Sequence, residues 1–162
     1  MEEQLLAFLS HLQQEYRYSE NTIAAYRNDL SQFLEYVENH SGTPLKEWAA
    51  VSEDDIEAYL SYMKHKDQPY ASSTIARKVA AIKSFYNYLT TQSIVDDNPT
   101  IDIDSPKVKK RLPQTLTIAE VDRLLEVPRG GASPKNLRDI ALLNILYETG
   151  MRVTEVVSIQ LD

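Results

Sequence analysis

The chain has 162 residues, 43% of them hydrophobic and 25% charged, so it can bury an ordinary core and lacks the composition of a disordered or fibrous protein. No run reaches the roughly 18 uncharged apolar residues of a membrane span, and the acidic, amphipathic start MEEQLLAFLSHLQQE is unlike a signal peptide; a cytoplasmic protein without a membrane partner is expected. The absence of cysteine excludes disulfides, thiolate catalysis and Cys-ligated zinc.

A net charge of −7 speaks at first against nucleic acid, because duplex DNA repels an acidic surface. The charge is unevenly spread. Residues 1–63 carry three basic residues against twelve acidic ones, and residues 112–162 carry five against seven. Between them, residues 64–111 carry nine bases (Lys64, Lys66, Arg77, Lys78, Lys83, Lys107, Lys109, Lys110 and Arg111) against five acids, a band of net +4. Such a band is either a solvated face with a linker or a surface for a polyanion.

Apolar spacing predicts helix almost throughout. Leu5, Leu6, Leu9 and Leu12 make one stripe, ended by a polar turn at Tyr16 to Ser19. Ser19 is the N-cap expected for a long second helix with Ile23, Tyr26, Leu30, Phe33, Leu34 and Val37 inward, which Asn39 to Pro44, with Gly42, brings to an end. Ser52 and Asp55 form a capping-box pattern and open a third helix with Ile56, Tyr59, Leu60 and Met63 inward. The acids Glu53, Asp54 and Asp55 lie in its first turn, where the helix dipole favours negative charge, and need no catalytic role.

After Pro69, Ser72 or Ser73 caps a fourth helix whose inward stripe is Ile75, Val79, Ile82, Tyr86 and Leu89. At roughly 100° per residue, Ser73, Arg77 and Ser84 fall on the opposite face, flanked by Ala80 and Ala81. That small, polar face with one long cation suits either a phosphate backbone or a neighbouring helix. Four helices fit residues 1–92 as one bundle.

From Asp96 to Thr115 no helical period survives; Asn98-Pro99, Pro106 and Pro113 punctuate the stretch, and Lys107, Lys109, Lys110 and Arg111 crowd its second half. An interdomain linker is predicted there. Thr117 to Glu120 then reads as a capping box followed by Val121, Leu124 and Leu125. Gly130-Gly131 and Pro134 make a loop, and Ile140, Leu143, Leu146 and Tyr147 form another stripe that stops at Gly150. Thr154 can cap a last segment, Glu155 to Ile159. Arg152 is thereby held in a tight turn beside a helix N-terminus, where a guanidinium and backbone N–H groups suit a phosphate; it can equally cap the preceding helix or pair with Glu155.

The run Tyr147 to Glu155, YETGMRVTE, resembles the first catalytic-arginine motif of tyrosine recombinases, the Xer and phage-integrase family, commonly Tyr-x-Thr-Gly-Leu-Arg-x-Ser-Glu. Three further segments agree in order. Ser19-Glu20-Asn21-Thr22 with Tyr26 and Asp29-Leu30 is similar to the family's second helix, and Ser72-Ser73-Thr74 with Arg77, Phe85-Tyr86 and Tyr88-Leu89 to its fourth. Asn98-Pro99, Pro106-Lys107, Leu112-Pro113, Leu116-Thr117, Glu120-Val121 and Leu124-Leu125 resemble its linker and the first helix of its catalytic domain.

The resemblance implies an all-α chain: a four-helix, SAM-like core-binding bundle (1–95), a basic linker (96–115) and the first helices of a truncated catalytic domain (116–162). Its partner would be double-stranded DNA at a recombination site, held in a two-domain clamp. Carried over by position, Ser19, Asn21, Thr22 and Arg27 on the second helix and Ser72, Ser73, Thr74, Arg77 and Lys78 on the fourth become DNA contacts, mostly to phosphate. Lys107, Lys109, Lys110 and Arg111 would follow the backbone and add salt-dependent affinity. Arg152 matches the first catalytic arginine, Glu155 a nearby acid that orients it, and Tyr147 is a packing residue.

The family's chemistry is transesterification by a tyrosine nucleophile without metal or other cofactor. None of His11, His40, His65 or the tyrosines occupies the place of the remaining catalytic groups, which the resemblance sets beyond Asp162. The chain alone is therefore expected to bind DNA without cleaving it and to be a monomer, whereas a full-length member works as a tetramer. A stand-alone helical module that binds DNA or protein without catalysis is the alternative.

Overall fold

Residues 1–39, 46–108, 112–127 and 133–160 are described by the computed structural model, and every regular element among them is helical. The chain divides into two compact units, Met1–Lys110 and Arg111–Asp162. No helix among the described residues is long and apolar enough to cross a membrane.

The first unit contains α1 (Glu2–Gln14), α2 (Glu20–Asn39), a 3-10 turn (Trp48–Ala50), α3 (Glu53–His65) and α4 (Ser72–Thr91). The α2 helix is central, packing on α1, α3 and α4, and α1 also meets α4. The expected inward faces of α3 and α4 are buried in full, as are Leu30, Phe33 and Val37 of α2, while Ile23, Tyr26 and Leu34 pack at the margin. Each fully buried aliphatic or aromatic side chain contributes about 1.5–3 kcal/mol.

Aromatic rings knit the four helices together. Phe8 meets Phe85 at 5.3 Å between centroids and Tyr26 edge-on at 5.9 Å; Trp48 meets Phe85 edge-on at 4.8 Å and stacks on Phe33 at 6.1 Å. These offset and edge-to-face geometries are the ones ring quadrupoles favour. The indole N–H of Trp48 donates to the Met1 carbonyl at 2.9 Å, which fastens the start of α1 to the 3-10 turn.

The structure departs from the sequence reading at several helix positions. Phe8 takes the inward place expected of Leu6, which is left 43% exposed. Neither Ser72 nor Ser73 caps α4: both lie inside it, and its N-cap is Ala71, which makes no side-chain hydrogen bond. Ala81, expected beside the open face, is buried. The Pro-marked stretch begins packed on the bundle, with Val95, Thr100 and Ile103 buried and the Asn98 amide donating to the Asn87 side chain at 2.8 Å.

The second unit contains α5 (Ile118–Glu126), α6 (Pro134–Thr149) and α7 (Val153–Val157). Thr117 and Glu120 close the expected capping box at the start of α5, and Ser133 caps α6 by accepting from the Asn136 N–H, with Pro134 at the first helical position. Gly150 ends α6 in the left-handed conformation, φ 65°, which an L side chain resists. Gly130-Gly131 lie outside the described residues. Among the described residues of this unit Val156 alone is buried, while Ile118, Val127, Leu137, Val153 and Val157 are all more than half exposed. These helices carry apolar faces that the described structure leaves open.

Candidate nucleic-acid interface

The outer face of α4 follows from its period. Positions 73, 77, 80, 84, 87 and 91, spaced by alternating fours and threes, stand opposite the buried stripe. They are Ser73, Arg77, Ala80, Ser84, Asn87 and Thr91: five short side chains and one long cation. At the first turn, Ser72 and Ser73 are exposed and Thr74 is half-buried. Ala71 as N-cap offers the leading N–H groups of α4 no side-chain acceptor of its own. Hydroxyls and uncapped amides at a helix start are suited to phosphate oxygens.

The α2 helix contributes through its own first turn. Ser19 Oγ accepts from the Thr22 N–H at 3.3 Å and hydrogen-bonds the Thr22 hydroxyl at 2.9 Å, so Ser19 caps α2 as expected and fixes Thr22. Ser19 and Asn21 are exposed and Thr22 is half-buried. The flank of α2 carrying Thr22 and Asp29, seven residues and nearly two turns apart, faces α4, because Asp29 bonds to both Arg77 and Lys78. Arg27 is not on that flank. It lies roughly 160° around α2 from Asp29 and shares a surface depression with Glu2, Glu35 and Glu38.

Lys78 corrects the sequence reading. Expected at the surface as a DNA contact, it is 1% exposed. Its ammonium donates to Asp29 Oδ1 at 3.0 Å and to Gln32 Oε1 at 2.9 Å, with the Tyr70 ring 5.4 Å away. A lysine is almost never fully buried unless paired, and here α2 supplies the pair. Arg77 donates to the other oxygen of Asp29 with its side chain half exposed. Asp29, itself 1% exposed, joins these two cations; the sequence reading names it only within the second-helix resemblance and not as a candidate contact.

The other cations of the basic band divide in the same way. Lys64 and Lys107 are exposed, Lys66 is half-buried with its ammonium 4.1 Å over the Tyr70 ring, and Lys83 is half-buried. Lys109, Lys110 and Arg111 lie outside the described residues, as does His40.

In the second unit, Arg152 stands between Gly150 and α7, its side chain 83% exposed. Glu155 accepts from the Arg152 backbone N–H at 2.8 Å and from its guanidinium at 3.0 Å. Arg152 itself is the N-cap of α7; Thr154, expected to cap it, lies one residue inside. The guanidinium is thus paired with Glu155 and open to solvent at once. Tyr147, expected to pack, is instead 58% exposed on α6. Burial pushes the phenols of Tyr59 and Tyr86 up, with Tyr70 and Asp29 adding at the first and Asp55 at the second, so both stay protonated and serve packing. Among the described residues no three His, Asp or Glu side chains gather as a metal site.

Residues 5–93 match the phage integrase N-terminal SAM-like domain. Over 160 residues, 98% of the chain, it is 49% identical to a protein named tyrosine recombinase XerC of Herpetosiphon aurantiacus, and over 161 residues 48% identical to the XerC of a Roseiflexus species. A tyrosine recombinase XerD of Halalkalibacterium halodurans is 40% identical over 158 residues. In each case the chain spans about half the length of the relative, 50%, 50% and 51%. With the SAM-like domain matched in its first 93 residues and the similarity running on through Arg152 and Glu155, the chain belongs to the phage integrase, or tyrosine recombinase, family.

Proposed function

We propose that the chain is the DNA-engaging part of a site-specific tyrosine recombinase. Residues 1–95 serve as the core-binding domain, 96–115 as the linker and 116–162 as the start of the catalytic domain. The whole enzyme would break and rejoin DNA through a phosphotyrosyl intermediate, working as a tetramer on two duplexes. The observation that carries this reading is the similarity to proteins named tyrosine recombinases over 98% of the chain, through the Gly150 turn and Arg152.

In this reading the bundle meets duplex DNA with one end of α2 and the outer face of α4. Ser19, Asn21, Thr22, Ser72, Ser73 and Thr74 offer hydroxyls, an amide and backbone N–H groups to phosphates, and Arg77 adds a guanidinium fork. These contacts set register and orientation more than they read bases. Lys107, Lys109, Lys110 and Arg111 track the backbone. Arg152 addresses the reacting phosphate and stabilises the charge that develops on it, while Glu155 holds its orientation, an electrostatic task that needs a fixed donor.

A duplex titration at two salt concentrations tests the binding half of the proposal. Each phosphate neutralised contributes about −0.9 to the slope of log affinity against log salt. Affinity that falls steeply with salt and weakens in Arg77→Ala is the expected result; binding indifferent to salt would reject it.

A further inference from the structure

Asp29 and Lys78 could satisfy each other alone. Both side chains are 2% exposed, the ammonium has Asp29 and Gln32 as acceptors, and one carboxylate balances one lysine. Yet the second oxygen of Asp29 takes Arg77, whose side chain is half exposed. Two cations on one carboxylate leave a net +1, and because Lys78 is sealed inside, the excess emerges at Arg77.

The surrounding bonds give this arrangement one geometry. Gln32 Oε1 accepts from Lys78 at 2.9 Å and from the Tyr70 hydroxyl at 3.1 Å, and its amide nitrogen donates to Asn28 at 3.1 Å, so its orientation is fixed. Gln32 fixes Lys78, Lys78 fixes Asp29, and Asp29 holds one nitrogen of Arg77. A surface arginine left to itself carries rotamer entropy that a phosphate contact must overcome. One held at a single nitrogen has fewer rotamers left to lose when its other donors meet a phosphate.

We propose that Asp29 is a positioning residue for DNA: a buried carboxylate that presets the Arg77 guanidinium for phosphate, with Lys78 as the internal counter-charge that keeps the carboxylate in place. The proposal rests on the DNA-binding reading above. It has an unusual sign, since an acidic residue near DNA opposes binding by charge alone, whereas here its removal weakens binding.

The test uses the whole 162-residue chain and a short duplex of arbitrary sequence, titrated by fluorescence anisotropy over a range of salt. Asp29→Asn leaves Lys78 buried without a counter-charge and can fail to fold, so the deciding variant is Asp29→Asn with Lys78→Met, which keeps the net charge at −7. Folding is checked by the helical circular dichroism signal and its melt. The double variant is expected to bind about tenfold more weakly than the parent chain and to lose about one unit of salt slope, as Arg77→Ala does. Adding Arg77→Ala to it should then cost nothing further, because both changes remove the same contact. A folded double variant that binds as well as the parent, or better, overturns the role of Asp29 alone. A parent chain without salt-sensitive binding overturns that role together with the DNA-binding reading.

Discussion

Glu155 holds Arg152 at two points, its carboxylate accepting the backbone N–H at 2.8 Å and the guanidinium at 3.0 Å. One side chain therefore both opens α7 and fixes the direction of the cation ahead of it, while the Arg152 side chain stays 83% exposed. The pair is solvated, so its value lies in orientation more than stability. Glu155→Ala should cost no more than about 1 kcal/mol yet free the guanidinium. The relaxation of the Arg152 Nε–H signal by NMR reports this directly: fast local motion is expected in the variant, and unchanged order would show that another group holds it.

Gly150 adopts φ 65° at the end of α6, and a Cβ built there meets nothing within 4 Å. The cost of a side chain at this position is thus backbone strain without a clash. Gly150→Ala is expected to destabilise the second unit by about 1 kcal/mol and Gly150→Asn by less, since asparagine tolerates the left-handed region. Denaturant unfolding of the two variants compares them; equal losses would point to a steric cause instead.

Phe85 has no exposed surface and touches Phe8, Trp48 and Tyr86, the rings that join α1, α4 and the 3-10 turn. Phe85→Ala should lower the stability of the first unit by about 3–5 kcal/mol. Leu112, 91% exposed, is the control, and its replacement by alanine should change stability by less than about 0.5 kcal/mol. Thermal melts of both variants decide the matter.

The second unit has one buried hydrophobic residue among those described, whereas the first has a continuous core. Little apolar burial means low local stability. Amide hydrogen exchange should therefore show α5, α6 and α7 losing protection well before α2 and α4. Equal protection across the chain would contradict this picture of the second unit.

Glu120 is held below the ordinary glutamate range, first by the Thr117 backbone N–H it accepts and then by the Thr117 hydroxyl. A carboxyl whose folded pKa lies below its unfolded value contributes stability above the unfolded pKa and loses it as pH falls through the folded one. The start of α5 should accordingly fray on acidification below the ordinary glutamate range. A carboxyl-carbon NMR titration of Glu120 is expected to show a depressed midpoint, and a midpoint at or above the ordinary value would remove the cap.

What can be read from sequence and what cannot separates by distance along the chain. Arg152 and Glu155 are three residues apart, and Thr117 and Glu120 likewise, so turns and caps reveal them. The stripes of α3 and of most of α2 show because one helix period fixes them. Leu6 and Phe8 both suit a helical face with Leu5, Leu9 and Leu12; only Phe85, Tyr26 and Tyr88, far along the chain, make Phe8 the inward one. In sequence Lys78 reads as a surface cation, because its partner Asp29 is 49 residues away on another helix. Ile103 sits among prolines and acids with no period to mark it as core.

In the proposed function, one end of α2 and the outer face of α4 meet duplex DNA. Amide chemical-shift mapping of the whole chain with a short duplex at low salt tests it most directly. Shifts are expected at Ser19, Asn21, Thr22, Ser72, Ser73, Thr74 and Arg77 that reverse when salt is raised, with Glu53, Asp54 and Asp55 unmoved. Shifts confined to other surfaces, or none at all, would contradict it.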